Sequence, residues 1–312
     1  MIGGIHLDAW AHHQFAVETF FTPWHGVLYS GFLAVAAVLV WAFARNLWRG
    51  EPRSQALPPG YALSLVGVLL FLAGGIGDML WHILFGIEVN IEALLSPTHL
   101  LLALGGALIV TGPFRAAWGR SEGATPGWAS LLPALLSLAM LLSVFTFFTA
   151  FANPIAAERL VARDNLNQAL GVASILVQTG LMMGVILLAV RRWALPSGSL
   201  TLVLTVQALL SVSPHENYQL LPLVILSGLV TDLLLSRMKP SADSPTAFRL
   251  FAFSVPVVFY LFYFANLLLS SGIAWTVHLW AGSIVMAGVV GWLLSYAFVL
   301  PGSELGTKVL EV

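Results

Sequence analysis

The sequence predicts an all-α polytopic integral membrane protein, a bundle of about nine transmembrane helices. Hydrophobic residues make up 59% of the chain and charged residues only 9%. Apolar runs of about 20 residues recur along the chain, and this is the length of helix that crosses a hydrocarbon core ~30 Å thick. This composition excludes a soluble globular core. The nine predicted spans cover residues 26–48, 61–84, 98–114, 128–150, 168–190, 198–213, 218–236, 248–269 and 274–299.

Individual residues indicate where some of these spans begin and what connects them. The first and third spans open just after Pro23 and Pro97, and proline favours the first turn of a helix. Residues 198–213 form the weakest of the nine predicted spans. The segment RMKPSADSPTAFR between spans seven and eight predicts a flexible linker, because Pro and Ser interrupt the apolar pattern. Five tryptophans are expected to mark the inner membrane interface: Trp41, Trp48, Trp118, Trp128 and Trp193.

Basic residues predict the orientation, because short cytoplasmic loops collect Lys and Arg. In the nine-span topology only Arg159 and Arg163 lie on one side of the membrane. This asymmetry places the N-terminus outside and the C-terminus in the cytoplasm. The other eleven basic residues all lie on the opposite side: Arg45, Arg49, Arg53, Arg115, Arg120, Arg191, Arg192, Arg237, Lys239, Arg249 and Lys308.

We expect one transmembrane domain over residues 1–312. It would comprise an outer segment 1–25, a helical bundle 26–300 that includes a second motif at 78–105, and a cytoplasmic tail 301–312. No basic segment followed by a short apolar stretch and a cleavage site precedes the first span, so we expect the N-terminal segment to be retained. The expected location is the lipid bilayer of a bacterial or archaeal cytoplasmic membrane.

One pattern of polar residues occurs twice in the N-terminal third of the chain. In each copy Asp precedes His by four residues, Phe follows that His by three and Glu follows it by six. A [ST]-P-x-H-x5-G element comes next, and only the spacer before it differs. The first copy contains Asp8, His12, Phe15, Glu18, Pro23, His25 and Gly31, and the second contains Asp78, His82, Phe85, Glu88, Pro97, His99 and Gly105.

The chemistry of this pattern is that of a metal site. Asp at position i and His at i+4 project from one face of a helix, so both can reach one ion. The second His of each copy lies in the first turn of a span. An Asp and two imidazoles suit copper, zinc or iron, whereas magnesium and calcium prefer oxygen ligands. The chain has no cysteine, which excludes thiolate sites. One copy alone would be a weak signal, because D-x3-H often arises by chance or as an Asp–His hydrogen bond that ties down a helix end; the duplication favours a metal site.

All eight histidines fall on the outer face in the predicted topology, which points to one outward-facing polar site. His215 follows a Ser-Pro pair, as His99 follows Ser-Pro-Thr, and it is a candidate accessory ligand. His278 lies one turn into the last span and could complete a site or extend to the interface. Glu18 and Glu88 are candidate ligands or partners of a ligand imidazole. His6 and His13 are expected to be solvated.

The two copies resemble the metal-binding segments of the C-type subunit of copper membrane monooxygenases, the particulate methane and ammonia monooxygenase family. The resemblance rests on D-x3-H-x12-H at Asp8, His12 and His25, and on Asp78, His82 and His99 about 70 residues later. It covers residues 8–105. The second copy here has Asp where the family pattern has Asn, and its spacer to the second His is longer.

The resemblance implies copper at the non-cytoplasmic side of a helical bundle and, more loosely, oxidation of a small apolar substrate. Carried over by motif, Asp8, His12 and His25 would form one ligand set and Asp78, His82 and His99 the other. Electrons would come from quinol or a partner protein. Other membrane subunits and a homo-oligomer are both open possibilities.

Two further classes of function remain open. A copper-handling protein for delivery, transport or assembly would use the same ligands, although a transporter needs polar stations at depth and the spans offer few. A b-type haem electron-transfer protein would use pairs of histidines, but axial ligation does not need an Asp one turn before each. Nucleic-acid binding is not expected, because the chain has no basic patch suited to it.

Overall fold

The computed structural model describes residues 1–15, 19–88, 91–120, 126–156, 165–270 and 272–300. Within these ranges the chain forms helices and turns and no β-strand, which confirms the all-α prediction. The helices are α1 (Ile2–Gln14), α2 (Pro23–Trp48), α3 (Ala62–Phe85), α4 (Ile91–Leu95), α5 (Pro97–Val110), α6 (Gly112–Trp118), α7 (Trp128–Phe148), α8 (Asn165–Arg192), α9 (Ser199–Val212), α10 (Leu221–Met238), α11 (Pro245–Leu269) and α12 (Val277–Phe298).

Seven of the described helices are long and apolar enough to cross a bilayer: α2, α3, α7, α8, α10, α11 and α12. The helices α5 and α6 together would make an eighth span, with a bend of 41° between them. Helix α9 has 14 residues, or about 21 Å at 1.5 Å per residue, and is too short to cross a ~30 Å core alone. A membrane protein is therefore confirmed, while the number nine and the orientation remain predictions.

The bend between α5 and α6 lies at Thr111, Gly112 and Pro113. Proline has no backbone N–H to donate, so Pro113 leaves the Ile109 carbonyl without its helical donor, and the Ser64 hydroxyl of α3 donates to that carbonyl at 3.3 Å. Arg115 adds donors at the break: its Nη2 donates to the Leu108 carbonyl at 2.9 Å and its Nε donates to the Gly60 carbonyl at 2.7 Å. One side chain therefore stabilises the break and ties it to the start of α3.

Two glycines at equivalent positions of the repeat allow close helix approach. A Cβ added to Gly105 of α5 would lie 2.6 Å from the Phe71 backbone nitrogen of α3. A Cβ added to Gly31 of α2 would collide with the amino-terminal nitrogen of Met1, where α1 begins. Small residues let helix backbones pack closely in membranes. These contacts set the spacing between the helices that carry the repeated Asp and His residues.

Helix α1 lies outside the candidate spans and packs on α2 and on the turn Ser213–His215. His6 anchors it, because its Nε2 lies 2.7 Å from the Ser143 hydroxyl and its ring meets Phe147 edge to face. Burial lowers the pKa of His6 to about 4, so the imidazole is neutral near pH 7. The prediction that His6 is solvated is therefore wrong, because its ring contacts a distant helix.

The buried carboxylate of Asp232 has a structural role at the opposite end of the bundle. It accepts hydrogen bonds from the backbone N–H groups of Leu200 and Thr201 and from the Thr201 hydroxyl. The N-cap of α9 is Gly198, which has no side chain to satisfy these donors. Asp232 of α10 therefore caps α9 from a neighbouring helix.

Candidate metal centre

The second copy of the repeat forms a compact triad at one end of the bundle. Asp78 and His82 lie one turn apart in the last two turns of α3, and His99 lies in the first turn of α5. The Nε2 atom of His82 is 3.5 Å from one carboxylate oxygen of Asp78, and Nε2 of His99 is 3.3 Å from the other. We call these three residues the inner triad because Asp78 is only 1% exposed.

The first copy forms a triad of the same composition. Asp8 and His12 lie one turn apart on α1, and His25 lies in the first turn of α2. Both Nε2 atoms are 3.6 Å from the same carboxylate oxygen of Asp8. We call this the outer triad, since His12 is exposed and Asp8 and His25 are partly exposed. In each triad one ligand atom per residue lies within 4.8 Å of the other two.

These separations suit side chains that bind one metal ion. Hydrogen bonds between nitrogen and oxygen are usually about 2.7–3.2 Å long, and all four Asp–His distances are 3.3–3.6 Å. Two ligand atoms each about 2.1 Å from one ion, at a tetrahedral angle, are about 3.4 Å apart. The residues present therefore fit a three-coordinate protein site that leaves at least one position open.

The hydroxyl groups of the [ST]-P-x-H element orient the second histidine of each triad. The Thr22 hydroxyl lies 2.8 Å from Nδ1 of His25, and the Ser96 hydroxyl lies 2.8 Å from Nδ1 of His99. The same oxygens accept the backbone N–H of these histidines, as N-cap residues do. One residue thus caps the helix and holds the imidazole so that Nε2 faces the Asp.

Further side chains support the inner triad. The Thr98 hydroxyl donates to Asp78 at 2.9 Å. On the far side of His82, Nδ1 is 3.2 Å from the Gly86 carbonyl and 3.2 Å from a carboxylate oxygen of Glu88. Glu88 therefore lies behind the imidazole and not among the three ligand atoms. A hydrogen-bond partner on the second ring nitrogen fixes the ring orientation of a metal-binding histidine.

The two triads lie close together. The Phe20 ring stacks on His25 with centroids 4.9 Å apart, and its centroid is 6.1 Å from that of His82 in the other triad. Tyr29 of α2 contacts α3, since a Cβ added to Gly75 would lie 2.9 Å from its ring. The Phe20 ring thus lies near a histidine of each Asp–His–His group.

The charges of the inner triad reach the outer triad. Burial raises the pKa of Asp8 to about 7, with the Asp78 charge adding to the rise and His82 opposing it. Burial lowers the pKa of His12, and the charges of His82 and His99 lower it further. Without an ion, the outer triad thus contains a carboxyl whose pKa lies near neutral pH and a His12 imidazole whose pKa is lowered.

The remaining predicted site residues lie elsewhere. His278 is exposed in the first turn of α12 and belongs to neither triad. His215 lies on the turn Ser213–His215, with its ring centroid 4.7 Å from that of His13. Glu18 lies outside the described residues. Among the residues that the structure describes, the two triads are the only groups of three or more side chains with this metal-binding arrangement.

Sequence reasoning did not assign roles to four residues that shape this site. Thr22, Ser96 and Thr98 form hydrogen bonds to triad residues, and Phe20 contacts a histidine of each triad. Thr22 and Ser96 belong to the repeated [ST]-P-x-H element. Each precedes a histidine by three residues at the start of a helix. This spacing could have predicted the hydrogen bond, because the side chain of an N-cap residue faces the residue three positions after it.

The apolar helices and the two triads together describe an integral membrane protein with two adjoining Asp–His–His groups that could hold metal ions. No family model, curated protein or solved structure that was compared with the chain matches it.

Proposed function

We propose that this protein is a membrane metalloprotein that holds two copper ions, one in each triad, at one edge of the bilayer. The observation that carries the proposal is the pair of Asp–His–His groups, each with Asp–His distances of 3.3–3.6 Å. Asp78, His82 and His99 would hold one ion, and Asp8, His12 and His25 the other. Glu88 would position His82.

Structural roles alone do not explain this arrangement well. Carboxylates and imidazoles at membrane depth are costly and are usually functional. The Asp78 carboxylate is buried in α3, whereas a second buried carboxylate, that of Asp232, accepts three hydrogen bonds that cap a helix. Asp78 caps no helix: it accepts a hydrogen bond from the Thr98 hydroxyl and faces two imidazoles at ligand spacing.

Copper is the preferred ion for two reasons. Sites with nitrogen and oxygen ligands bind Cu²⁺ more tightly than the other divalent first-row ions. The resemblance to copper membrane monooxygenases implies the same metal. Zinc also fits three protein ligands with an open position, and two His with one carboxylate is the ligand set of many iron(II) oxygenases. The metal assay must therefore include all three ions.

The resemblance extends the proposal to oxidation of a small apolar substrate, as in an oxidase of the copper membrane monooxygenase type. Bound copper would supply the redox chemistry. The chain would supply the surroundings: the aromatic rings of Phe20, Trp24 and Tyr29 lie on the segment that carries His25, and apolar molecules dissolved in lipid could approach them. Other membrane subunits, or a second copy of the chain, would complete such an enzyme.

Copper handling is the second candidate function, because His12 is exposed and an ion could reach the outer triad from outside the protein. Haem ligation fits less well. In the inner triad, Asp78 lies within 3.5 Å of both imidazole Nε2 atoms. A macrocycle inserted between these imidazoles would have to displace that carboxylate.

The test is the metal content of detergent-purified protein after supplementation with copper, zinc or iron. Wild type should retain two equivalents of copper, and His82→Ala/His99→Ala and His12→Ala/His25→Ala should each lose one. An electron paramagnetic resonance spectrum of each double variant should show a single nitrogen-ligated Cu²⁺ species. The same spectrum of wild type should reveal any interaction between the two ions.

A matched control is His278→Ala, which removes an exposed histidine outside both triads and should leave the metal content unchanged. Metal content unaffected in both double variants, or no bound metal under any supplementation, would refute the proposal. A preference for zinc or iron would leave the sites standing and replace copper. A Soret band in the visible spectrum would favour the haem alternative.

A further inference from the structure

A third pair of imidazoles lies beside the outer triad. His13 is on α1 and His215 is on the turn Ser213–His215, and their ring centroids are 4.7 Å apart with 48° between the ring planes. Both residues are exposed. They come from segments far apart in the chain, so their contact is produced by the docking of α1 on that turn.

The triads offer an internal standard for this spacing. The two histidine rings are 6.1 Å apart in the outer triad and 6.0 Å apart in the inner triad, with the planes again steeply inclined. The His13–His215 pair is closer than either. Two imidazoles at this spacing could share one ion after small side-chain rotations, and solvent could occupy the remaining coordination positions.

A neighbouring hydrogen bond holds this pair in place. The indole Nε1 of Trp10, one helical turn before His13 on α1, donates to a carboxylate oxygen of Glu216 at 2.9 Å. Glu216 has a left-handed backbone conformation, with φ of 58°, which ends the turn directly after His215. The hydrogen bond between Trp10 and Glu216 thus fixes α1 against the turn that carries His215.

We infer that His13 and His215 form an exchangeable loading site that captures a divalent transition-metal ion, Cu²⁺ above all, and passes it to the outer triad. This inference rests on the proposed function. His13 is adjacent in sequence to His12, a ligand of the outer triad. The ion would move by ligand exchange from one imidazole set to the next, with no change in oxidation state and no covalent bond made or broken in the protein.

The test uses stripped, detergent-purified full-length protein titrated with Cu²⁺. Wild type should bind a labile equivalent that a weak chelator removes, in addition to the tightly held equivalents. His13→Ala/His215→Ala should lose the labile equivalent, keep the tight ones and load them more slowly in a stopped-flow experiment. His278→Ala is the matched control and should behave as wild type, because that histidine is also exposed but has no imidazole partner among the described residues.

The outcomes distinguish failure of the loading site from failure of the proposed function. Absence of a labile equivalent in wild type, or its persistence in His13→Ala/His215→Ala, would overturn the loading site. A lost labile equivalent with unchanged loading rate would overturn the transfer to the outer triad. If the tight equivalents are missing from wild type while the labile one is present, the proposed function fails and the His13–His215 pair remains a metal site by itself.

Discussion

The two triads have the same ligands but different surroundings. In the inner triad the Asp78 side chain is 2% exposed, a hydroxyl donates to it and a carboxylate lies behind His82. In the outer triad the Asp8 side chain is 16% exposed, and one of its oxygens is shielded without a hydrogen-bond partner among the described residues. The inner triad joins two closely packed helices, whereas the outer triad depends on how the terminal helix α1 docks.

One motif can therefore give two sites of unequal strength. Ligand identity sets which metals fit, and the supporting groups decide how well the ligands are held before an ion arrives. We expect the inner triad to bind more tightly and the outer triad to exchange more readily. Five predictions, in order of decreasing effect, would break or refine this contrast.

Replacing the carboxylate should have the largest effect. Asp78→Asn keeps the shape of the side chain but removes the charge shared by two imidazoles, and should weaken Cu²⁺ binding at the inner triad by more than about 100-fold. Asp8→Asn should weaken the outer triad less, because Asp8 is only partly charged near pH 7. Competition with a chromophoric chelator would measure both affinities. Equal losses would contradict the ranking, and Asp243→Asn in the exposed linker is the control.

Removing the hydroxyl that supports Asp78 should have the next largest effect. Thr98→Val preserves the side-chain shape and deletes the 2.9 Å hydrogen bond. Loss of a hydrogen bond to a ligand should weaken metal binding at the inner triad about 10–100-fold. Metal binding at the outer triad should be unchanged. Thr205→Val is a matched control, because that hydroxyl is buried without a partner among the described residues. An inner affinity unchanged by Thr98→Val would show that the carboxylate needs no support.

A smaller difference between the triads should appear in the pH dependence of their Cu²⁺ affinities. Below pH 7 the Asp8 carboxyl carries a proton that an ion must displace, because its pKa is raised to about 7. The affinity of the outer triad for Cu²⁺ should therefore fall about tenfold for each pH unit below 7. Titration of His82→Ala/His99→Ala at a series of pH values would isolate this triad. A flat profile around neutral pH would show that Asp8 is not a ligand.

The same pKa shift has an opposite consequence for the metal-free protein. Asp8 keeps its proton in the folded state up to about pH 7 but loses it near the ordinary pKa of 3.8 when unfolded. The unfolded state therefore binds fewer protons within this range, and the Asp8 contribution to the free energy of unfolding falls as the pH rises from about 4 to about 7. Asp8→Asn should remove that part of the pH dependence in a detergent unfolding assay.

The smallest effect should come from removing the N-cap hydroxyl, a feature that both triads share. Thr22→Ala and Ser96→Ala each remove an N-cap and should each lower the free energy of unfolding by about 1 kcal/mol. The two losses should be similar, because both hydroxyls cap a helix and hold a histidine Nδ1 at 2.8 Å. Thr22→Ser and Ser96→Thr retain the hydroxyl and serve as controls. A cost at one cap only would show that the two copies are not equivalent.

Much of each triad could be predicted because its geometry is local. The spacing of Asp78 and His82 places them on one helix face, and Pro97 indicates where the next helix begins. The repeat also places Gly31 and Gly105 at the same distance after their histidines in the two copies. Both glycines contact a neighbouring helix in the structure. The outward orientation of the site remains a prediction.

Other features depended on segments that are distant in sequence. Glu88 could have been a ligand or a partner of one, and only its position behind His82 distinguishes the two. His6 looked solvated in a terminal segment, but it contacts Ser143 of α7. The proximity of the triads is seen in the contacts of the Phe20 ring with both His25 and His82. No periodicity within one helix encodes these contacts.

The apolar helices, the repeated ligand types and their spacing along each helix can all be read from the amino-acid order. They follow from composition and from the 3.6-residue period of the α-helix. Only the folded chain shows which ligand atoms converge, how buried each carboxylate is and how near the two triads lie. Helix periodicity fixes the direction of a side chain on its own helix, whereas the distance between helices is set by the packing of side chains from remote parts of the chain.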